Sequence, residues 1–264
     1  PHTLEPVTYD FFPGNKPFSL WKYRRIIDKT QFKKSLYESD ITMVNWPQND
    51  YWLGPIIDVS PEEKERHLYK QLGEYGQLPE IMVISCGDSR VAPEIIFDAG
   101  PGEIFVVRNI ANIVPPDESD KSGSSGTFHG TSAAVEYATN ALKVRHIVVL
   151  GHASCGGVRA YADQIAPLSK SDFIGKWMSQ IEPVVGKAGP RPESTEEFTT
   201  WLRQIEMGVV EHSLTNLLTF PSVKERVNNG DLTLHGAYFG IATGVLYFRD
   251  PHTGQFMPCL EQDD

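Results

Sequence analysis

The stretch "IMVISCGDSR", residues 81–90, joins a short apolar run to a cysteine and two charged residues. Similar β-branched runs recur as "IFVV" at 104–107 and "HIVVL" at 146–150. Runs that are apolar on both faces are typical of strands in a buried parallel sheet. Candidate helices, "TSAAVEYATNAL" at 131–142 and "GGVRAYADQI" at 156–165, alternate with these strands. The alternation predicts an α/β fold, a central and mostly parallel sheet flanked by helices.

The two ends of the chain have different patterns. Residues 231–250 contain two strand-like halves around "IATG", which predicts an antiparallel hairpin at the C-terminal edge of the sheet. Proline and aromatic residues are frequent near the N-terminus, which predicts that residues 1–45 form an irregular arm packed against another surface. Polar, Gly-rich or Pro-rich segments at 115–130 and 184–197 are predicted to be loops. We expect residues 1–264 to form a single domain.

The boundaries of one helix can be predicted from its end signals. Ser60 and Glu63 have the spacing of a capping box, and Pro61 occupies the first helical position between them. Gly76 and Pro79 then end the segment. The sequence therefore predicts a helix that begins at about residue 61 and ends before the strand at 81–85.

Composition and charge limit the classes of partner. The 264 residues include 24 Lys and Arg against 34 Asp and Glu, giving a formal charge of −10. An acidic chain has no electrostatic attraction for nucleic acid or anionic lipid, so we expect neither nucleic-acid nor membrane partners. Three scattered cysteines do not make a disulfide framework, which favours a reducing, intracellular compartment. The cytoplasm and the interior of a plastid or mitochondrion are equally compatible.

Three potential metal ligands follow the predicted strands. Cys86 comes directly after the first strand, and His152 and Cys155 come directly after the third. Because the carboxyl ends of parallel strands lie at one edge of a sheet, these side chains are predicted to meet there. A single Cys or His at such a place is more often a packed residue. Two thiolates and one imidazole together suit Zn²⁺ and leave its fourth position open, as in catalytic sites.

Two charged residues follow the first of these cysteines closely. Asp88 and Arg90 would, on a plain surface, form an ion pair worth about 0–1 kcal/mol. Beside a metal the same pair has another use, because the guanidinium can hold the carboxylate in place with two parallel hydrogen bonds. The carboxylate can then bind the metal or orient a water molecule bound to it.

Five motifs together resemble the β-class carbonic anhydrases, most closely the plant-type branch. They are "CGDSRV", "PGEIFVVRNIANIVPP", "GTSAAVEYA", "LKVRHIVVLGHASCGGV" and "SLTNLLTFPSV". The match is dense over about residues 75–165. The resemblance implies a carbonate dehydratase, a zinc lyase in which zinc-bound hydroxide attacks carbon dioxide to give bicarbonate and a proton. It also implies a homodimer or a higher even-numbered oligomer, in which the arm at residues 1–45 packs on a neighbouring subunit.

The same resemblance implies roles for individual residues. One Zn²⁺ per chain would be bound by Cys86, His152 and Cys155, with Asp88 and Arg90 as the catalytic pair. The implied substrate-side residues are a hydrogen-bonding glutamine, an apolar pocket and a backbone N–H donor. These are Gln77, then Phe105, Ile110 and Tyr137, and finally Gly156.

The sequence departs from some bacterial members of the family at an inhibitory bicarbonate site. That site is built from Trp, Arg and Tyr. Arg108 is present here, but Val83 and Phe239 stand at the Trp and Tyr positions. We therefore predict that this switch is absent and that Asp88 stays paired with Arg90 instead of binding zinc.

Two other functions remain open on the residues alone. The same scaffold could hydrolyse carbon disulfide or carbonyl sulfide, because the motifs near the metal do not separate these substrates from carbon dioxide. A zinc-stabilised redox-sensing module is the second alternative, in which Cys86 and Cys155 form a disulfide after metal loss. An open fourth metal position beside an Asp–Arg pair favours an enzyme over a sensor.

Overall fold

The computed structural model describes residues 61–118, 130–164 and 170–259. The predicted arm at 1–45 and the predicted capping residue Ser60 lie outside this part of the chain. The described residues include a six-stranded sheet, and all of its strands lie between Ile81 and Pro258. Its strands are Ile81–Cys86 (β1), Ile104–Asn109 (β2), His146–His152 (β3), Thr233–Gly240 (β4), Val245–Arg249 (β5) and Phe256–Pro258 (β6).

The sheet is parallel in its larger part and antiparallel at one edge. Its strand order is β2-β1-β3-β4-β5-β6, with the first four strands parallel and the last two antiparallel. The predicted α/β fold and the C-terminal hairpin are both confirmed. Strand β6 was not predicted, and it extends the antiparallel edge beyond the hairpin.

Helices cover the sheet and connect its parallel strands. In the described residues they are Pro61–Tyr75 (α1), Pro93–Ile96 (α2), Gly130–Glu136 (α3), Gly156–Ala162 (α4), Phe173–Met178 (α5), Glu182–Ala188 (α6), Thr195–Leu217 (α7) and Pro221–Asn228 (α8). Helix α3 continues in a wider turn through Tyr137–Ala141. The helices predicted around 61–75, 131–142 and 156–165 are present.

The prediction of a loop at 184–197 is wrong, because most of this segment is helical. Helix α6 ends at Ala188 and α7 begins at Thr195, which leaves only residues 189–194 between them. The hydroxyl of Ser194 accepts a hydrogen bond from the Glu197 amide at 3.2 Å and donates one to the Glu197 carboxylate at 3.0 Å. This capping interaction starts the helix immediately after a segment rich in Gly and Pro.

Alternation along the central strands divides the core between the two faces of the sheet. Val83 and Val148 belong to one buried cluster, while Ile84 and Val149 belong to the other. Every residue of β3 is buried, as expected for a strand covered on both faces. Burial on both faces leaves the ends of β1 and β3 as the places where these strands can present reactive side chains.

Candidate metal centre

Three predicted ligands meet at the carboxyl edge of the sheet. Cys86 is the last residue of β1, His152 is the last residue of β3, and Cys155 immediately precedes α4. Strands β1 and β3 are parallel neighbours, with Ser85 opposite Leu150. All three ligand side chains are buried, and their ligand atoms lie within 4.8 Å of one another. Residues 66 positions apart in sequence therefore form one compact donor set.

The hydrogen bonding of His152 fits a metal ligand. Its Nδ1 lies 2.9 Å from the carbonyl oxygen of Ala153, and because a carbonyl only accepts, Nδ1 is the protonated nitrogen. The opposite nitrogen, Nε2, is buried and has no hydrogen-bond partner among the described residues. A buried nitrogen without a partner is costly, and a metal ion would remove that cost. Imidazole ligands of metals commonly donate their other N–H to a carbonyl in this way.

The two thiols differ in acidity because they face each other. A hydrogen bond from Cys155 lowers the pKa of Cys86, against the effect of burial, and the Ala111 amide lowers it further. The same hydrogen bond, together with burial, raises the pKa of Cys155. One thiolate is therefore favoured without a metal, and a divalent cation between the sulfur atoms would stabilise two. With one imidazole, this donor set is suited to zinc.

Asp88 and Arg90 form a bidentate pair next to the ligands. Arg90 Nε donates to Asp88 Oδ1 at 2.9 Å, and Arg90 Nη2 donates to Asp88 Oδ2 at 2.6 Å. These bonds hold the pKa of the Asp88 carboxyl well below its ordinary value, so the group is ionised at neutral pH. Arg90 Nη2 also donates to the Ser154 carbonyl at 3.2 Å, which links the segments that follow β1 and β3.

Arg108 supports the backbone that bears Cys86 and Asp88. Its Nε donates to the Cys86 carbonyl at 2.9 Å, and its Nη2 donates to the Asp88 carbonyl at 2.6 Å. Val83 and Phe239 are both buried in the core cluster on one face of the sheet. Arg108 thus binds main-chain carbonyls, and Val83 and Phe239 contribute to the core. The absence of an inhibitory bicarbonate site stays a prediction.

A strained turn after β2 lies against Cys86. Ala111 and Asn112 have φ values of 64° and 47°, in the left-handed region that non-glycine residues seldom adopt. The Asn109 side chain closes this turn, because its Nδ2 donates to the Ile113 carbonyl at 2.8 Å and its Oδ1 accepts from the Ile113 amide at 3.0 Å. The strained conformation directs the Ala111 amide towards the Cys86 sulfur.

Of the predicted pocket residues, Phe105 and Tyr137 are in contact within a single chain, while Ile110 lies against α4. The rings of Phe105 and Tyr137 are in contact, with centroids 5.8 Å apart. The side chain of Ile110 lies against α4, since a Cβ added to Gly157 would be 2.7 Å from Ile110 Cγ2. Ile110 and Tyr137 remain 43% and 49% exposed. Gln77 is exposed in the segment between α1 and β1.

Gly156 lies at the start of α4, directly after Cys155. A Cβ added to it would meet nothing within 4 Å, so the space beside it is open. The amides that bond to the Cys155 sulfur belong instead to Gly157 and Val158. Gly156 is exposed at the start of this helix, and its role as a backbone donor to the substrate stays a prediction.

Sequence reasoning missed a buried carboxylate behind the ligands. Glu206, on α7, is 3% exposed. Its Oε1 accepts from the Cys155 amide at 2.9 Å, and its Oε2 accepts from the Tyr238 hydroxyl at 2.7 Å. No local pattern distinguishes a glutamate within a long helix from an exposed one, so only the folded arrangement identifies Glu206.

Residues 81–246 match the family model described as carbonic anhydrase. Beta carbonic anhydrase 5, chloroplastic, from Arabidopsis thaliana is 38% identical over 177 residues, covering 65% of this chain and 54% of that protein. Beta carbonic anhydrase 3 from the same plant is 38% identical over 188 residues, covering 69% of each chain. The chain thus spans about half the length of one of these relatives and about two thirds of the other.

Solved structures show the same fold. The beta-carbonic anhydrase CcaA aligns with a TM-score of 0.64 at 30% identity, covering 74% of this chain and 90% of that one. A tetrameric beta-carbonic anhydrase from Sordaria macrospora aligns with a TM-score of 0.59 at 28% identity, covering 86% and 98%. The chain belongs to the carbonic anhydrase family, in its plant-type β class.

Proposed function

We propose that this protein is a zinc-dependent carbonic anhydrase that interconverts carbon dioxide and bicarbonate with release or uptake of a proton. The observation that supports it most is the convergence of Cys86, His152 and Cys155 within 4.8 Å. The Asp88–Arg90 pair beside them adds a fixed acceptor at the same edge of the sheet. Family membership supports the same reaction.

The proposed roles of the residues follow from their positions. Bound zinc would supply a Lewis acid that makes water nucleophilic near neutral pH. Asp88 would act as an acceptor that orients the reacting water, because it is ionised and its two oxygens still have lone pairs beyond those used by Arg90. Its lowered pKa makes it a poor proton carrier at neutral pH, so its contribution is orientation.

The substrate would lie on the apolar side of the centre. Phe105, Ile110 and Tyr137 would enclose carbon dioxide, which has no net charge or dipole and is suited to an apolar pocket. Gln77 and the Gly156 amide would donate hydrogen bonds to the oxygens of substrate and product. The open space beside Gly156 is compatible with that use.

Assembly into a homodimer or a higher even-numbered oligomer would complete this pocket. Ile110 and Tyr137 are about half-exposed in the single chain, and a second subunit could cover them. One structural relative is a tetrameric beta-carbonic anhydrase, which supports an even number of subunits. We propose that residues 1–45 pack on the neighbour and that residues 1–264 form one domain.

We propose a reducing intracellular compartment, either the cytoplasm or the interior of a plastid or mitochondrion. The two buried thiols of the metal centre would be preserved there. One relative is named as chloroplastic. In the described residues, no helix combines the length and the apolar character needed to cross a bilayer.

The test is zinc content and stopped-flow carbon dioxide hydration for the wild type and two cysteine variants. We expect Cys155→Ser to lose zinc and activity together, because a neutral hydroxyl is a much weaker zinc ligand than a thiolate. Cys259→Ser is the matched control, since Cys259 follows β6, outside the ligand cluster. Full zinc and full activity in Cys155→Ser would contradict the ligand assignment.

The same preparation separates the two alternative functions. If sulfide release from carbonyl sulfide or carbon disulfide is faster than carbon dioxide hydration, the sulfur compound and not carbon dioxide is the preferred substrate. A disulfide between Cys86 and Cys155 after chelation, with no turnover of any of these substrates, would favour the redox-sensing alternative.

A further inference from the structure

Among the described residues, a buried carboxylate whose hydrogen bonds come from uncharged donors lies behind the metal centre. Glu206 is on the helix α7 and only 3% of its surface is exposed. Its oxygens accept from the Cys155 amide at 2.9 Å and from the Tyr238 hydroxyl at 2.7 Å. Burying a carboxylate is expensive, and neutral donors offset less of that cost than a guanidinium would. The buried carboxylate is therefore expected to serve the group that it binds.

That group is the main chain of a metal ligand. The segment from His152 to Cys155 turns sharply, and Ser154 adopts a left-handed φ of 56°. The Cys155 amide at the end of this turn is held by Glu206, and the Ser154 amide also donates towards it. Because the Cys155 sulfur is one bond from Cβ, any rotation of this backbone moves the sulfur relative to Cys86 and His152.

The rest of the environment fixes the carboxylate itself. Tyr238, on β4, is 1% exposed and lies opposite Gly151 of β3, just before the ligand His152. A Cβ on Gly151 would be 2.6 Å from Val210 Cγ2 and 3.6 Å from the Glu206 carbonyl. The glycine thus allows α7 to approach β3 closely, and the hydroxyl of Tyr238 prevents the carboxylate from rotating away.

We propose that Glu206 is a positioning residue that sets the metal affinity of the centre by holding the Cys155 backbone, with Tyr238 fixing its orientation. The inference rests on the proposed function only in requiring that the site bind zinc. The experiment measures metal binding, so its result does not depend on whether the protein turns over carbon dioxide.

Two substitutions at Glu206 separate hydrogen bonding from charge. In Glu206→Gln, the amide oxygen can still accept from Cys155 and the NH₂ group can donate to the Tyr238 oxygen. In Glu206→Leu, of similar size, the Cys155 amide loses its acceptor. We expect zinc affinity to fall about 10- to 100-fold for Leu and to stay close to the wild-type value for Gln. Tyr238→Phe should give a smaller loss, about threefold or more.

The affinities are measured on the full-length protein by chelator competition, with cobalt-substituted protein as the second readout. We expect the thiolate-to-cobalt and d–d absorption bands to shift in Glu206→Leu and Tyr238→Phe, since the geometry of the sulfur ligand changes. Val223→Ala is the control for lost stability alone, because Val223 is fully buried in the cluster on the other face of the sheet. It should leave zinc affinity and the cobalt spectrum unchanged.

The outcomes are distinct. Wild-type zinc affinity and an unchanged cobalt spectrum in Glu206→Leu would overturn the inference. If that variant does not fold, the same wild-type behaviour in Tyr238→Phe would overturn it, and so would an equal loss of affinity in Val223→Ala. A wild type that binds zinc but does not hydrate carbon dioxide would contradict the proposed function. The zinc affinities of the Glu206 variants would still decide the role of Glu206. A wild type that binds no zinc would contradict both.

Discussion

Asp88 and Glu206 are two carboxylates on opposite sides of the same ligand segment. Asp88 is on the open side, where its side chain is 17% exposed and that of its partner Arg90 is 50% exposed. Glu206 is on the buried side, with the main-chain amides of the ligand segment and a phenol as partners. The guanidinium lowers the pKa of Asp88, whereas burial raises the pKa of Glu206. The same chemical group is thus prepared for two different tasks.

The difference shows how surroundings determine the role of a carboxylate. Arg90 keeps Asp88 ionised and leaves part of its acceptor capacity facing the open side, where a reacting molecule can use it. Both oxygens of Glu206 accept from protein donors in the core, and only 3% of the residue is exposed. We therefore expect changes at Asp88 to alter turnover and changes around Glu206 to alter metal affinity and stability.

Asp88→Asn should give the largest effect on turnover. The amide NH₂ would replace an acceptor oxygen and face the Arg90 guanidinium, so the orienting pair would be lost. We expect kcat/KM for carbon dioxide hydration to fall about 10²- to 10³-fold, with zinc content unchanged. Stopped-flow assays and metal analysis on the same sample measure both.

Asp163→Asn is the matched control for that variant. Asp163 is paired with Arg191 at 2.7 Å and with Arg159 at 3.5 Å, at the C-terminal end of α4. We expect wild-type turnover, because the Asp163 carboxylate pairs with these two guanidinium groups and is not part of the ligand cluster. Equal losses of turnover in Asp88→Asn and Asp163→Asn would contradict an orienting role for Asp88. Loss of zinc in Asp88→Asn would contradict the separation of roles between Asp88 and Glu206.

Arg90→Lys should give an intermediate effect on the open side. Lysine keeps the positive charge but cannot form two parallel bonds to the carboxylate. The loss of one charge-assisted hydrogen bond of about 1.5–3 kcal/mol predicts a fall in kcat/KM of about tenfold or more. A wild-type rate in this variant would show that charge alone is sufficient and that the fork of Arg90 is not required.

Tyr238→Phe should give the smallest effect on turnover and a clear effect on stability. Removing the hydroxyl leaves one buried oxygen of Glu206 without its donor, which costs about 1–3 kcal/mol. Urea unfolding of the metal-free protein measures this cost. Tyr247→Phe, on the neighbouring strand β5, is the control and should change the free energy of unfolding by less than about 0.5 kcal/mol. Equal values for the two variants would contradict the proposed contact.

The open side of the site could be predicted from sequence, because its residues follow directly on apolar strands. The runs before Cys86 and His152 indicate parallel strands, and the geometry of a parallel sheet brings their ends together. Asp88 and Arg90 are close in sequence to Cys86, so their pairing is also local. The pocket residues Phe105, Ile110 and Tyr137 are different: without the family resemblance, their types indicate only packing.

The buried side could not be predicted, because its contacts join distant parts of the chain. Glu206 is 51 residues from Cys155 and 32 from Tyr238. The start of its helix could not be predicted either, because the Gly and Pro residues before Ser194 indicate a loop. The capping hydrogen bond of Ser194 is seen only in the folded structure. Strand β6 has three residues and exists only by pairing with β5, so its sequence lacks a periodic signal.

The position of zinc in crystals of the zinc-loaded protein, located by anomalous scattering at neutral pH, tests the metal centre most directly. We expect one zinc per chain bound by Cys86 Sγ, Cys155 Sγ and His152 Nε2, with Asp88 still paired to Arg90 and outside the coordination sphere. Zinc at another place would contradict the site. A carboxylate oxygen of Asp88 bound to zinc, with Arg90 released, would contradict the separation of roles between the two carboxylates.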